Sequence, residues 1–280
     1  MTIRPAEPDT GILFKRMDVA GADNVVRATF GSVRDTFLGT NLANEAGVCV
    51  LTTEHLMSAF WGCGIDNAVV EVDGPEVPAM DGSAAPFVGA FEEAGLLVQG
   101  AARKFIRILK PVRVADGDRS AALLPDEQFS VSLTIDFESD AVGRQSIEFV
   151  AASDSFAAEL GSARTFGFYH EVEELRQNGL ALGGSMNNAI VIDGDKVLNE
   201  DGLRFSDEFV RHKALDAIGD LYLAGAPIIG RMVGVCSGHT LNSMLLKELF
   251  STPAAWRLEP IDANGAAEQA GRWFGATKAA

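Results

Sequence analysis

The sequence predicts an α+β protein of two similar domains, and three observations predict it. A helix, a strand, a glycine-containing turn and a second helix follow one another over 53–97, and the same order returns over 207–250. Alternating apolar and polar residues, the period of half-buried strands, precede both units. The length, 280 residues, suffices for two domains of ordinary size. Residue identity between the units is slight, so the repeat is one of pattern. Each unit carries a histidine in its first helix, His55 and His212, which suggests a site between the domains.

Each element has a local reason. Residues 11–15 and 24–28 alternate and read as strands. Thr52 or Thr53 is placed to cap a helix over 53–61, residues 56, 57, 60 and 61 give it one apolar face, and Gly62 and Gly64 end it. Residues 67–73 form a strand, and Asp81-Gly82-Ser83 turns into a helix over 85–97. The β-like stretch 103–114 joins the halves, and 129–137 alternates again. A helix is predicted over 171–178, then a glycine-rich stretch 179–184 and a strand 189–193. Asp207 stands near the N-terminus of an amphipathic helix over 207–224, followed by a strand 228–236, the turn Ser237-Gly238 and a helix 239–250. From Asp262 the chain is rich in Ala and Gly and is expected to be loosely held.

Composition excludes several functions. The formal net charge is −16, which argues against a general nucleic-acid surface. Apolar residues make up 47%, enough for a real core. No apolar run approaches the ~18 residues that span a bilayer, and the first residues hold no apolar signal core. Three cysteines without a C-x-x-C pair argue against a disulfide scaffold or a cysteine-rich zinc site and fit a cytoplasmic protein.

Only four histidines are present, so histidine chemistry has few assignments: His55, His170, His212 and His239. His212 and Asp216, four apart on a helix, share one face, with Asp220 next on it. Alone, such a spacing is more often an exposed pair than a ligand set. Glu54 and His55 open the earlier helix, where a carboxylate is favoured in any case. Together, His55, His212 and Asp216 make a two-histidine, one-carboxylate set, the usual form of a catalytic zinc site with an open position. Glu54 is then a candidate general base and His239, after Ser237-Gly238, a candidate acid or oxyanion partner. His170, in an acidic stretch, reads as surface. Gly183-Gly184-Ser185 lacks the lysine and spacing of a P-loop, and no G-x-G-x-x-G follows a strand.

These residues sit in longer segments that resemble the UDP-3-O-acyl-N-acetylglucosamine deacetylase family, zinc enzymes of lipid A synthesis in Gram-negative bacteria. The matching segments are TTEHLMSAFWGCGIDNAVVEV (52–72), PEVPAMDGSAAPFV (75–88), SARTFGF (162–168), LGGSMNNAIV (182–191), VLNEDGLRFSDEFVRHKALDAIGD (197–220) and SGHTLN (237–242). The resemblance implies two α+β domains with their helices sandwiched between two sheets and one insert in each. It divides the chain into 1–105, with a small β insert within 36–51, and 106–261, with a βαβ insert around 169–193, leaving a tail 262–280.

For the site, the resemblance implies His55, His212 and Asp216 as ligands of Zn2+, with Fe2+ the alternative, and Glu54 as general base. His239 matches a second catalytic group oriented by Asp220, and Thr165 a hydroxyl near the oxyanion. Phe166 matches an aromatic beside the sugar, Lys213 a phosphate contact, and Arg119 a position near the diphosphate. Lys213, Arg119 and Arg164 are expected to make the cleft locally positive. Phe137 is the aromatic of the nucleotide side. Tyr169, Val172, Met186 and Val191 are expected to line an acyl tunnel, with Phe37 and Leu38 opposite. The substrate implied is an acylated UDP-amino sugar, and a cytoplasmic monomer is expected.

The chain departs from the family pattern in three places. The match begins at TIRPAEPDTGILFKR, without the preceding hairpin that carries a G-x-G-x-H-S-G turn, so an exposed strand edge is expected there. Cys236 stands where many members have lysine, and Phe137-Glu138-Ser139-Asp140 replaces a histidine–proline pair after the aromatic. An active zinc deacetylase is the reading favoured, because every metal and acid–base position is filled; a weakly active or inactive binding homologue is the alternative.

Overall fold

A computed structural model of the protein describes residues 1–20, 23–152, 154–171 and 183–261. The first domain contains strands β1 (Thr2–Pro5), β2 (Ile12–Arg16), β3 (Val25–Arg27), β4 (Val33–Asp35), β5 (Asn41–Ala43), β6 (Cys49–Val50) and β7 (Ala68–Val72), with helices α1 (Glu54–Gly62) and α2 (Ala85–Ala94). Its main sheet runs β1-β7-β2-β3, and β4-β5-β6 form a small insert sheet. Along β2 the alternation puts Ile12 and Phe14 in the core and Lys15 at its edge, as period two requires.

The second domain contains β8 (Arg103–Ile108), β9 (Val112–Asp116), β10 (Arg119–Leu124), β11 (Phe129–Asp136), β12 (Arg144–Val150), β13 (Phe166–Phe168), β14 (Ile190–Asp193), β15 (Lys196–Val197), α3 (Glu208–Tyr222), β16 (Ile228–Val235), α4 (His239–Ser251) and β17 (Trp256–Ile261). Its large sheet is ordered β12-β11-β16-β10-β9, with β8 also paired to β16 and β17 to β8; β13-β14-β15 form the second insert sheet.

The repeat is topological. β7 lies parallel to β2 and antiparallel to β1, and β2 is antiparallel to β3. Likewise β16 lies parallel to β11 and antiparallel to β10, and β11 is antiparallel to β12. So β10-β16-β11-β12 repeats β1-β7-β2-β3 strand for strand. The second sheet adds β9 outside β10, whereas β1 is an edge strand with Thr2, Arg4 and Pro5 exposed.

Helices fill the space between the sheets. Trp61 of α1 meets Phe129, Phe149 and Phe156 of the second domain at ring-centroid distances of 5.1, 6.1 and 5.9 Å. α1 and α3 approach backbone to backbone at Gly219, where a Cβ would stand 2.0 Å from the Glu54 carbonyl oxygen. That contact requires glycine despite its helix cost of ~1 kcal/mol, and it sets the two helix starts side by side.

Several boundaries differ from expectation for physical reasons. The stretch 103–114 is two strands, β8 and β9, broken at Pro111, which cannot donate to a ladder. Helix α2 stops at Ala94 because Gly95 turns left-handed at φ +77, which leaves Leu97 and Val98 exposed. Thr53 and Asp207 precede α1 and α3 without capping them. The Thr53 hydroxyl instead donates to the Thr40 carbonyl at 2.9 Å, and Asp207 accepts from Arg211 Nε at 2.6 Å. Most of the helix predicted over 171–178, part of the glycine-rich stretch and the tail 262–280 lie outside the described residues. Among the described residues no helix is long and apolar enough to cross a membrane.

Candidate metal centre

Three helix segments and one loop converge between the domains. The first turn of α1 brings Glu54 and His55; α3 brings His212, Asp216 and Asp220 at intervals of one turn; the start of α4 brings His239; Thr40 precedes β5. One ligand atom from each of His55, His212 and Asp216 lies within 4.8 Å of the others, and all three residues are buried. Asp216 Oδ1 faces His212 Nε2 at 3.2 Å and His55 Nε2 at 3.5 Å.

The hydrogen bonds around these groups favour a cation. The carbonyl of Ala163 lies 3.0 Å from His212 Nδ1, which must donate to it, so the lone pair of neutral His212 sits on Nε2, facing Asp216. Burial pushes His212 down to about 3, so the ring is neutral. Burial opposes the charge of Asp216, but His212 and Lys213 hold its carboxyl well below the usual range. His55 is raised: burial opposes its charge, and Asp216 and Glu54 more than offset that. Asp216 Oδ1 is fully buried and accepts no hydrogen bond among the described residues. An orphaned carboxylate oxygen is costly unless a cation meets it. Two imidazole nitrogens and one carboxylate oxygen fit zinc or ferrous iron as a donor set.

Beside this triad stand two acid–base groups. Burial pushes the Glu54 carboxyl up, and its Oε2 accepts a hydrogen bond from the Thr40 amide at 2.8 Å. Gly39 passes so close that a Cβ there would lie 2.7 Å from Glu54 Oε1. His239 Nδ1 bonds Asp220 Oδ2 at 2.9 Å, and Asn242 Nδ2 donates to the same oxygen at 2.8 Å. Burial and its place at a helix N-terminus disfavour a charged His239, but Asp220 overrides both and pushes it up to about 10.

The other predicted residues divide into near and far. Lys213 Nζ donates to Asp216 Oδ2 at 3.0 Å and lies 5.4 Å from the Phe166 ring centre. Phe166 packs on Phe209 at 4.9 Å, on Phe137 at 5.7 Å and on His212 at 6.4 Å, so the predicted aromatics Phe166 and Phe137 share one cluster beside a ligand. The Thr165 amide donates to the Gly82 carbonyl at 2.8 Å. No hydrogen bond to the Thr165 hydroxyl occurs among the described residues.

Arg164 corrects an expectation. Its guanidinium is buried against Glu208 at 2.9 Å and against the Gly202 carbonyl at 2.7 Å, so it anchors the segment instead of lending charge to the cleft. Arg119 pairs with Asp116 across the β9–β10 turn. Leu38, Phe37, Tyr169 and Met186 are exposed apolar side chains, whereas Val191 is buried in β14 opposite Gly167. Val172 lies outside the described residues.

The sequence reading missed Thr40, Asn242 and the Ala163 carbonyl. It also missed backbone strain: Leu38, Thr52 and Cys236, none of them glycine, adopt φ of +61, +55 and +46. Each lies two or three residues before a site group, Thr40, Glu54 or His239, and such strain gathers at functional loops. No local signal marks these positions.

The model of the family LpxC, UDP-3-O-acyl N-acetylglycosamine deacetylase, matches residues 1–251. The UDP-3-O-acyl-N-acetylglucosamine deacetylase of Phenylobacterium zucineum (strain HLK1) is 56% identical over 258 residues, spanning 92% of this chain and 88% of its own. The enzyme of that name from Idiomarina loihiensis is 47% identical over 283 residues, 100% of this chain and 92% of its own. That from Methylococcus capsulatus is 51% identical over 269 residues, 95% and 87% of the two chains.

Proposed function

Because the chain belongs to the UDP-3-O-acyl N-acetylglycosamine deacetylase family, we propose that it hydrolyses the acetamide of UDP-3-O-acyl-N-acetylglucosamine to acetate and UDP-3-O-acyl-glucosamine, the committed step of lipid A biosynthesis. One observation carries the reading: a buried carboxylate oxygen without a hydrogen bond, facing two histidine nitrogens beside a buried glutamate.

His55, His212 and Asp216 would hold the ion, zinc or alternatively ferrous iron. When bound, a divalent ion there supplies Lewis acidity, lowering the pKa of water and polarising a carbonyl. Glu54, whose raised pKa suits a base working near neutrality, takes a proton from the attacking water. His239, held cationic by Asp220, presents an N–H to the charge that develops on the carbonyl oxygen, and the Thr165 hydroxyl adds a second donor. The leaving amine takes its proton from His239 or Glu54.

Substrate contacts follow the same geometry. Phe166 packs against the sugar with Phe137 behind it, and Lys213 meets a phosphate. Arg119 serves the diphosphate once it exchanges Asp116 for that anion. Exposed Leu38, Phe37, Tyr169 and Met186 take up the acyl chain together with Val172 and Val191, each buried methylene contributing ~0.8 kcal/mol. One chain supplies all of these residues, so a monomer suffices, and three free cysteines suit the cytoplasm.

The test is product analysis with the zinc-loaded full chain. One acetate is expected per new free amine from UDP-3-O-acyl-N-acetylglucosamine, and the same nucleotide sugar without its acyl chain is expected to react at least about tenfold less efficiently. Absence of acetate release from the acylated substrate would overturn the assignment.

A further inference from the structure

Thr40 occupies an unusual place among the groups around the metal cluster. It is buried, and all three of its polar groups are engaged. Its amide donates to Glu54 Oε2 at 2.8 Å, and its hydroxyl donates to Asp220 Oδ1 at 2.5 Å. Its carbonyl accepts from the Thr53 amide at 3.1 Å and the Thr53 hydroxyl at 2.9 Å. Glu54 opens α1 in the first domain, and Asp220 stands on α3 in the second, so one residue spans the domain boundary.

The chemistry at Asp220 makes this contact specific. Its Oδ2 is engaged by His239 and Asn242, while the one hydrogen bond to Oδ1 among the described residues comes from Thr40. Donors on both oxygens fix the plane of a carboxylate, and that plane sets the direction of the imidazole it holds. Thr40 Oγ1 lies 3.3 Å from His239 Nδ1, but its single proton is directed to Asp220 at the shorter distance. The chain is shaped for this approach: Leu38 is left-handed and Gly39 offers no side chain toward Glu54.

We propose that Thr40 is a positioning residue that locks Glu54 and the Asp220–His239 pair into a single acid–base unit across the two domains. The proposal rests on the deacetylase reading above, in which Glu54 and His239 move the protons. Thr40 touches neither substrate nor ion and acts through its two partners.

Thr40→Val isolates the hydroxyl arm. Valine keeps the shape and the backbone amide, so the bond to Glu54 stays, while Asp220 Oδ1 loses its donor. With the zinc-loaded full chain, kcat for acetate release is expected to fall by about 10–100-fold. KM and metal content are expected to stay at wild-type values, because neither depends on how His239 is aimed. Thr40→Ser, which restores the donor without the methyl, is expected to recover most of the loss. If the valine variant does not fold, Thr40→Ala is compared with Thr40→Ser in the same way.

Unchanged kcat in Thr40→Val beside an active wild type would overturn the proposal alone. Equal impairment of the serine and valine variants would show a packing role and overturn it too. An inactive, metal-loaded wild type would overturn the deacetylase reading and this proposal with it.

Discussion

Glu54→Gln is expected to lower kcat by about 10²–10⁴-fold while leaving the metal content unchanged. Glutamine preserves the size of the side chain and an oxygen that can accept from the Thr40 amide, the contact that holds Glu54 at 2.8 Å. What it removes is the capacity to take a proton. Burial raises this carboxyl toward the working pH, where a base is most effective, while His239 and His55 keep it from rising further. The ligands His55, His212 and Asp216 are untouched, so KM and bound metal stay constant while the chemical step slows. Kinetics and metal analysis on the same preparation check this. Loss of metal together with activity would instead make Glu54 a ligand or a structural prop.

Asp220→Asn is expected to move the alkaline limb of the pH profile toward neutrality by about one unit or more. The sign follows from the charges that face His239. Burial favours the neutral ring, and the helix N-terminus adds to that, while Asp220, Glu54 and Asp216 favour the cation strongly enough to push it up to about 10. A divalent ion nearby lowers that value without changing the order. A donor that must be protonated loses activity as pH rises through its pKa, so removing the Asp220 charge brings the loss to lower pH. At about pH 8 the variant is expected to be at least tenfold slower than wild type, with the difference shrinking at acid pH. A profile that keeps its shape and only loses height would place the Asp220–His239 pair outside the proton transfer.

Much of the fold could be read because its cause is local. Period two in β2 and β11 and period 3.6 in α3 put the core residues where the structure has them. The doubled order of helix, strand and helix anticipated two sheets with matching strand directions. Boundaries were less legible where a distant partner decides them. Thr53 looks like a cap, but its hydroxyl goes to Thr40; Asp207 looks like a cap, but Arg211 takes it.

The site divides along the same line. His212 and Asp216 are tied by one helical turn, so their shared face is visible in the sequence. His55 lies 157 positions from His212, and only the repeat and the family resemblance relate them before the structure shows their rings 4.9 Å apart. Thr40 meets Asp220 across 180 positions through a left-handed Leu38 and a closely packed Gly39. Neither feature has a local signature. Arg164 was misjudged because charge alone does not reveal that Glu208 neutralises it in the interior.

Whether His55, His212 and Asp216 hold a single activating ion is measured by stripping the full chain of metal, titrating it with zinc and following acetate release from the acylated nucleotide sugar. Activity is expected to be absent at the start, to rise with added zinc and to break at about one equivalent per chain, the stoichiometry of one three-ligand catalytic site. His212→Ala is expected to show no such rise in the same range. Full acetate release from the stripped chain, or an unchanged break in His212→Ala, would contradict the assignment of these three residues as the metal centre.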